Sequence, residues 1–406
     1  MTVSAVPRQV YLDNNATTPC SPDVVAEMLP YFTEQFGNPS SIHAIGSGVA
    51  PSIRAARERV QALLGAEHDS EIVFTSGGTE SDSTAIFSAL RSLPDRREIV
   101  ISAVEHHAVL SVCEHLAKHE GYKLHVIPVD AQGRLDLKAY EQALSEKVAL
   151  VSIMWANNET GTIFPIEHLA QMAKPFGILF HTDGVQAVGK IPLRLSNSAV
   201  DMLSLSGHKF HGPKGVGALY VKRGAKFRPL FRGGHQERGR RAGTENTTGI
   251  IGLGKAAELA LAGIKDENTR VRALRDRLER ELVARIPNAI VTGDVSQRLP
   301  NTTTIAFEFV EGEAILLMLS RAGIAASSGS ACTSGSLEPS HVMRAMGVPF
   351  TAAHGATRFS FSRENGEQDV DRVIEALPGI IERLRAMSPY WSAATGAPAA
   401  FQPAFS

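Results

Sequence analysis

Three residues of this 406-residue chain have a type and a setting suited to chemistry: Lys209, Asp183 and Cys332. Lys209 stands in SGHKFH (206–211), just after an apolar run. A lysine held at a strand end beside a desolvating or cationic group loses basicity and can form a Schiff base with a carbonyl. In a solvated loop it carries only charge. Asp183 closes the run GILFHTD (177–183). A carboxylate there either caps the next helix or keeps a pyridinium nitrogen protonated. A Schiff-base lysine with an aspartate partner is the pairing that pyridoxal phosphate requires. Cys332 lies in SSGSACTSGS (327–336), among small residues with nothing large to bury it. A thiol in such a loop can react and move. Cys113, within VLSVCEHL, and Cys20, at the head of a helix, read instead as small hydrophobes.

Other segments supply candidates for binding. SGGTE (76–80) follows an apolar run and opens an apolar-periodic helix. There Gly78 and Thr79 would offer backbone N–H groups to a phosphate, unless Glu80 and Asp82 satisfy that helix end themselves. GPKGVG (212–217) precedes a strand, so it is no dinucleotide fingerprint. His106, His107, His181, His208 and His211 cluster near strand ends, but their spacing forms neither HExxH nor a CxxC set, which argues against an intrinsic metal site. An imidazole such as His106 can stack on an aromatic cofactor and move protons near neutrality. Arg358 neighbours Phe359 and Phe361. With both rings facing a core, its guanidinium fork points elsewhere, to a carboxylate or to a surface ion pair. RGRRAGT (238–244) is a basic loop, either solvated or reaching a phosphate.

The elements that must position these residues can be read from periodicity. Apolar runs at 71–74, 98–104, 123–129, 149–155, 177–183, 201–206 and 217–221 read as buried strands. Amphipathic segments lie between them, such as Ile53, Ala56, Val60, Leu63 and Leu64, closed by Gly65. This alternation predicts an α/β domain with a mostly parallel seven-stranded sheet covered on both faces, whose ligands sit beyond the carboxyl ends of the strands. After about Gly254 the texture changes: a helix over 268–285, strands at 289–292 and 302–310, a helix over 313–321, a strand at 357–362 and a helix over 367–386. We expect a large domain over 16–260 and a smaller α+β domain built from 1–15 and 261–406. The segment 392–406, rich in Ala and Pro, is expected to fray or to dock on a neighbour.

Composition bounds the function. Lys plus Arg is 41 and Asp plus Glu is 42, a formal net charge of -1, which argues against a nucleic-acid or membrane-surface protein. No apolar run approaches ~18 residues, and the N-terminal segment lacks the apolar stretch of a signal peptide. Three cysteines make no disulfide framework and fit a cytoplasmic location. They also cannot build a four-thiolate iron–sulfur site from one chain.

The motifs together resemble the NifS-type cysteine desulfurases, pyridoxal-phosphate enzymes of aminotransferase class V with the aspartate-aminotransferase fold (fold type I). The resemblance runs nearly end to end, through YLDNNATTP, FGNPSSIH, SGGTES, EHHAVL, MWANNETGT, HTDGVQAVGK, SLSGHKFHGPKG, RGGHQERGRRAGTEN, SSGSACTSGS and SPYWS. The long SACTSGS loop looks like the housekeeping and nitrogen-fixation group; RRAGTEN and SPYW look closest to the nitrogen-fixation form.

The resemblance implies a role for each matching residue. Lys209 carries the cofactor as a Schiff base, and Asp183 pairs with the pyridine nitrogen. Gln186 and Asn158 contact the ring oxygen and the substrate side, and His106 stacks on the ring. Gly78, Thr79, Ser206 and His208 hold the phosphate, while Thr244 reaches the phosphate of the other subunit of a homodimer. Arg358 binds the substrate carboxylate. Cys332 accepts sulfur from L-cysteine as a persulfide, leaving L-alanine, and passes it to an iron–sulfur scaffold protein (NifU-like) for cluster assembly, where it could ligate a cluster transiently. Gly78 stands where the family often has Ala or Cys and Gly184 where Ala is usual, which puts local backbone geometry in question. An aminotransferase or selenocysteine lyase is the rival within the cofactor class. A non-catalytic iron–sulfur scaffold and a metallohydrolase are the rivals outside it.

Overall fold

A computed structural model describes residues 9–328, 338–392 and 397–398. Two short N-terminal residues form β1 (Val10–Tyr11). Seven strands then follow: β2 (Ile72–Thr75), β3 (Glu98–Ser102), β4 (Lys123–Ile127), β5 (Val148–Ser152), β6 (Leu179–Asp183), β7 (Met202–Ser206) and β8 (Gly217–Val221). Each coincides with one of the apolar runs. They form one sheet in the order β2-β8-β7-β6-β5-β3-β4. Only β8 runs antiparallel to its neighbours β2 and β7; the other pairings are parallel.

The runs are continuously apolar because both faces of the sheet are buried. On one face Val151, Phe180, Leu203, Leu205 and Tyr220 pack with the helices Ala50–Leu64 and Thr247–Asp266. On the other, Leu150, Leu179, Met202 and Leu219 pack with the helices Gly78–Ser92 and His107–His119. Cys113 is fully buried in this second layer, and burial pushes its thiol up to about 12. Cys20 is half-buried and packs against the first.

The remaining strands are β9 (Ala289–Thr292), β10 (Thr302–Phe307), β11 (Ile324–Ala325), β12 (Ser327–Ser328), β13 (Ala356–Ser360), and β14 (Trp391–Ser392) and β15 (Ala397–Pro398), the last two paired antiparallel with each other. Four of them make an antiparallel sheet in the order β12-β13-β10-β9, while β11 pairs in parallel with β1. Beneath them lies a separate core. It joins Val10 and Leu12 to Leu274, Leu278, Phe307, Phe359, Phe361 and the inner face of the helix Glu367–Met387. The segment after 261 is not confined to that core, since Leu299, Val342, Met343 and Met346 pack into the first one.

The expected helix over 268–285 proves to be the second half of a longer one. The chain is helical from Thr247 to Arg285, with a π-turn at Glu267–Val271. Buried residues before that turn belong to the sheet's core and those after it to the smaller one. This helix is long and apolar enough to cross a membrane, but half of its apolar stretch is buried inside the protein.

Candidate active site

β2, β3, β5, β6 and β7 all run in one direction, so their carboxyl ends share one edge of the sheet. A cavity of about 250 Å³ opens there, where ligands of such sheets bind. It gathers nine of the residues read from the sequence. Gly78 and Thr79 come from the helix after β2, His106 from the end of β3, Asn158 from the loop after β5, Asp183 and Gln186 from the end of β6, and Ser206, His208 and Lys209 from the end of β7. A larger apolar cleft of about 360 Å³, walled by Phe309, Phe350, Met387 and Tyr390, contains none of them.

Lys209 ends a single 3-10 turn, Gly207–Lys209, directly after β7. Its Nζ donates to the carbonyls of Asn15 at 2.7 Å and Ala16 at 2.9 Å. Asp183 is buried, and its Oδ1 accepts the Val185 N–H at 2.9 Å. Burial raises its carboxyl to about 6, held from rising further by that N–H and by the charge of Lys209.

The Asp183 carboxyl sits over a buried polar cluster. His181, two residues earlier on β6, meets the hydroxyls of Ser152 at 2.8 Å and Ser204 at 2.9 Å. Asp82 lies 3.6 Å from the same ring. Burial lowers His181 to about 3 and raises Asp82, the latter pushed further by Asp183. Glu105, which accepts from Ser102 and from the Met154 N–H, is raised by burial to about 8. Closely spaced buried carboxyls cannot all ionise, and Asp183 is the one facing a cation.

His106 caps the helix His107–His119, its Nδ1 accepting the Ala108 N–H at 3.1 Å. That bond places the ring proton on Nε2. Burial first, then Lys209, lowers His106 to about 4. The expectation of a titration near neutrality therefore fails: the ring rests neutral and presents an N–H donor. His208 is likewise lowered to about 4 by burial, with its Nδ1 3.0 Å from the Thr17 hydroxyl.

At the phosphate end, Gly77 precedes the helix with φ 152° and ψ −173°, a conformation essentially closed to side-chain-bearing residues. The first N–H groups of the helix have no intrahelical partner. Glu80 reaches back past the cap to accept the Ser76 N–H at 2.8 Å and pairs with Arg241 at 2.9 Å, a bond that leaves the helix's own first N–H groups to a ligand. Asp82 turns inward and is buried. The two glycine departures prove to be matters of packing, not of backbone angle. A Cβ at Gly78 would meet Val185 Cγ2 at 2.9 Å, and one at Gly184 would meet Leu203 at 2.9 Å.

Arg358 lies beside this cavity and not on its wall. On β13 it points away from Phe359, as the alternation implies. Its Nη1 donates to the Asn158 carbonyl at 2.9 Å and its Nη2 pairs with Asp13 at 2.8 Å. Its Nε is buried without a hydrogen-bond partner among the described residues. Thr244 is exposed and borders no part of the cavity of its own chain. Cys332 lies outside the described residues.

Sequence reasoning missed the N-terminal segment. Asn15 is buried; its carbonyl accepts from both Lys209 and Gln186, and its amide donates to the Asn158 carbonyl at 3.1 Å. The adjacent Asn14–Asn15 pair in YLDNNATTP was the only signal, because buried amides need partners.

These residues fit pyridoxal phosphate. Gln186 Oε1 is a buried acceptor with no partner among the described residues, suited to a ring hydroxyl. Asp183 supplies a buried anion for a ring nitrogen, Lys209 an amine, and the Gly77–Thr79 turn a phosphate cradle.

A doubly covered, mostly parallel sheet with a lysine and an aspartate at adjacent strand ends is the arrangement expected of an enzyme of the aminotransferase type. The sequence profile of the aminotransferase class-V family matches residues 10–373. The chain is 67% identical over 396 residues to a cysteine desulfurase of Gluconacetobacter diazotrophicus, covering 98% of this chain and 99% of the relative. It is 64% identical over 383 residues to the cysteine desulfurase NifS of Azotobacter vinelandii, covering 94% and 95%. A solved structure described as a NifS-like protein superposes with a TM-score of 0.86 at 38% identity, covering 93% of this chain and 100% of that one. The chain belongs to the aminotransferase class-V family, among its NifS-type cysteine desulfurases.

Proposed function

We propose that the protein is a pyridoxal-phosphate-dependent cysteine desulfurase that removes sulfur from L-cysteine, leaves L-alanine, and carries the sulfur as a persulfide on Cys332. The observation that carries this reading is the placement of Lys209 and Asp183 at adjacent strand ends on one cavity, under the Asn15 carbonyl. Pyridoxal phosphate, when bound, supplies an electron sink for the bond-breaking at the substrate's Cα and Cβ.

The chain's residues do the rest. Lys209 holds the cofactor and then takes the Cα proton on Nζ. Asp183, the buried anion, keeps a positive charge on the ring nitrogen. His106 covers the ring face and offers its Nε2–H. Arg358 orients the substrate carboxylate. The Cys332 thiolate attacks the substrate sulfur: an S–S bond forms, the Cβ–Sγ bond breaks, and its electron pair stays on carbon, which takes up a proton to become the alanine methyl. Substrate cysteine and one enzyme thiol thus yield alanine and one enzyme persulfide, with no external oxidant.

The finer reading is a cytoplasmic homodimer that hands this sulfur to an iron–sulfur scaffold protein for nitrogenase maturation. The exposed Thr244 supports the dimer, as a residue with no role at its own cavity. The RRAGTEN and SPYW motifs and the 64% identity to NifS support the nitrogen-fixation role.

The test is to incubate purified protein with L-cysteine and follow alanine, sulfide and the mass of the Cys332 peptide. Alanine with a one-sulfur gain on that peptide is expected. A keto acid in place of alanine would overturn the reading, and so would full turnover by Cys332→Ala.

A further inference from the structure

Resting on that reading, we infer that Glu159 is a positioning residue for sulfur transfer: its carboxylate pins Ser340, where the chain returns from the cysteine-bearing segment, to the loop that carries Asn158.

Glu159 stands in the loop after β5, one residue beyond Asn158. It is 3% exposed, and no step of the proposed reaction uses it. Its backbone is fixed at both ends: the N–H donates to Asn157 Oδ1 at 2.9 Å, and the carbonyl accepts from the Thr304 hydroxyl at 2.7 Å. Its side chain therefore has a defined direction, and it meets the Ser340 hydroxyl at 2.6 Å. Ser340 accepts the Val342 N–H at 3.1 Å as the cap of the helix His341–Ala345. Its one hydroxyl proton is thus available to Glu159. A carboxyl oxygen accepts such a proton whether or not the acid is ionised, so the bond is directional across neutral pH.

A second tether lies beside the first. His341 Nε2 meets the Glu105 carbonyl at 2.9 Å, and its ring lies 5.1 Å from that of His107. Glu105 and His107 flank His106 in sequence. On the other side of the segment, Ser327 pairs in register with Arg358 on β13. The described residues on both sides of 329–337 are therefore tied to the neighbours of Asn158 and His106 on one side and to Arg358 itself on the other. A surface serine would need none of this burial. What the arrangement fixes is the position at which the chain resumes, at Ser340 and His341, relative to Asn158 and His106, and a shift of ~1 Å at such an anchor costs a transfer step on the order of 100-fold.

The test uses holoenzyme mixed with one equivalent of L-cysteine, with the Cys332 peptide followed by mass and the cofactor absorption followed in parallel. Glu159→Ala and Ser340→Ala should slow persulfide formation by ~10- to 100-fold. KM for cysteine and the resting cofactor spectrum should stay unchanged, and the double variant should be no slower than either single one. Glu159→Gln keeps an acceptor for Ser340 and should recover to within about threefold. Persulfide formation at the parental rate in both alanine variants would overturn the inference. So would loss of cofactor and a raised KM in step with the rate, which would mark Glu159 as a general structural residue. If Glu159→Ala fails to fold, Ser340→Ala and Glu159→Gln decide the question alone. Absence of any persulfide in the parent protein would overturn the desulfurase reading itself, a result distinct from equal rates in parent and variants.

Discussion

Arg358 and Asp13 form an ion pair, Nη2 to Oδ1 at 2.8 Å, with the arginine side chain 3% exposed. Its other amino group is held by the Asn158 carbonyl. An incoming substrate carboxylate must therefore compete with Asp13 for the guanidinium or take the unpartnered Nε edge. Removing one member of a desolvated charge pair costs ~2 kcal/mol or more. Arg358→Ala should raise KM for L-cysteine by at least ~30-fold with a smaller change in kcat. Asp13→Asn, which keeps an acceptor and removes the competing charge, should lower KM by ~3- to 10-fold. Steady-state kinetics checks both, and an unchanged KM in Arg358→Ala would remove the residue from the site.

Asp183 invites a separate substitution. Asparagine fills the same volume and can still accept the Val185 N–H, but it carries no charge. Asp183→Asn should keep a borohydride-reducible link between Lys209 and the cofactor, and lose kcat by on the order of 100-fold, the scale on which a single electrostatic partner acts. Lys209→Ala should lose the reducible link altogether. An asparagine variant within threefold of parental kcat would show that the ring nitrogen finds its partner elsewhere.

Much of this site could be read from the sequence, and the parts that could not share one physical cause. Strand ends followed by Gly, His, Asp or Lys were legible because a run of alternating cores writes itself as apolar letters: Val151, Phe180 and Leu205 face one layer while Leu150, Leu179 and Met202 face the other. Arg358 was legible because Phe359 and Phe361 on either side of the next position must be buried. The N-terminal segment was not. Asn14 donates to the Ser360 carbonyl at 2.8 Å across most of the chain's length, and no local pattern encodes so distant a pairing. The same holds for β1, β11 and β12, two residues each and too short for any period to show. His106 misled for a different reason: its type suggests titration near neutrality, but burial decides the value.

Glu105 makes the buried cluster testable by stability. Burial holds its folded pKa at about 8, against ~4.3 in an unfolded chain. The folded protein thus keeps a proton that the unfolded chain releases, and this contribution to stability is lost as pH rises toward 8. Glu159, raised by burial to about 7, acts in the same direction. His106 and His208, lowered to about 4, act oppositely but only below ~6.5, where the unfolded chain takes up their protons. Between pH 6.5 and 8.5 the carboxyls prevail. Stability of the protein without cofactor should fall over that range by at most ~1.4 kcal/mol per pH unit for each group. Glu105→Gln should flatten the decline, as read from urea midpoints at several pH values. A parental profile that rises with pH there would show Glu105 to be ionised when folded.

Gly77 offers the sharpest test of the phosphate cradle. A Cβ there would find its nearest neighbour, the Ser206 hydroxyl, at 3.7 Å, so space is not the obstacle. The obstacle is the backbone at φ 152°, which costs a side-chain-bearing residue ~1–3 kcal/mol. Gly77→Ala should lower unfolding stability by that amount or reshape the turn, and in either case withdraw N–H groups from the phosphate. Cofactor dissociation should then accelerate while the lysine link still forms. Gly78→Ala is the control: its backbone angle is ordinary for a helix, and its added methyl only presses on Val185 Cγ2 at 2.9 Å. It should cost less stability and release cofactor more slowly than Gly77→Ala. If the two variants released cofactor equally fast, the turn's conformation would not be what holds the phosphate.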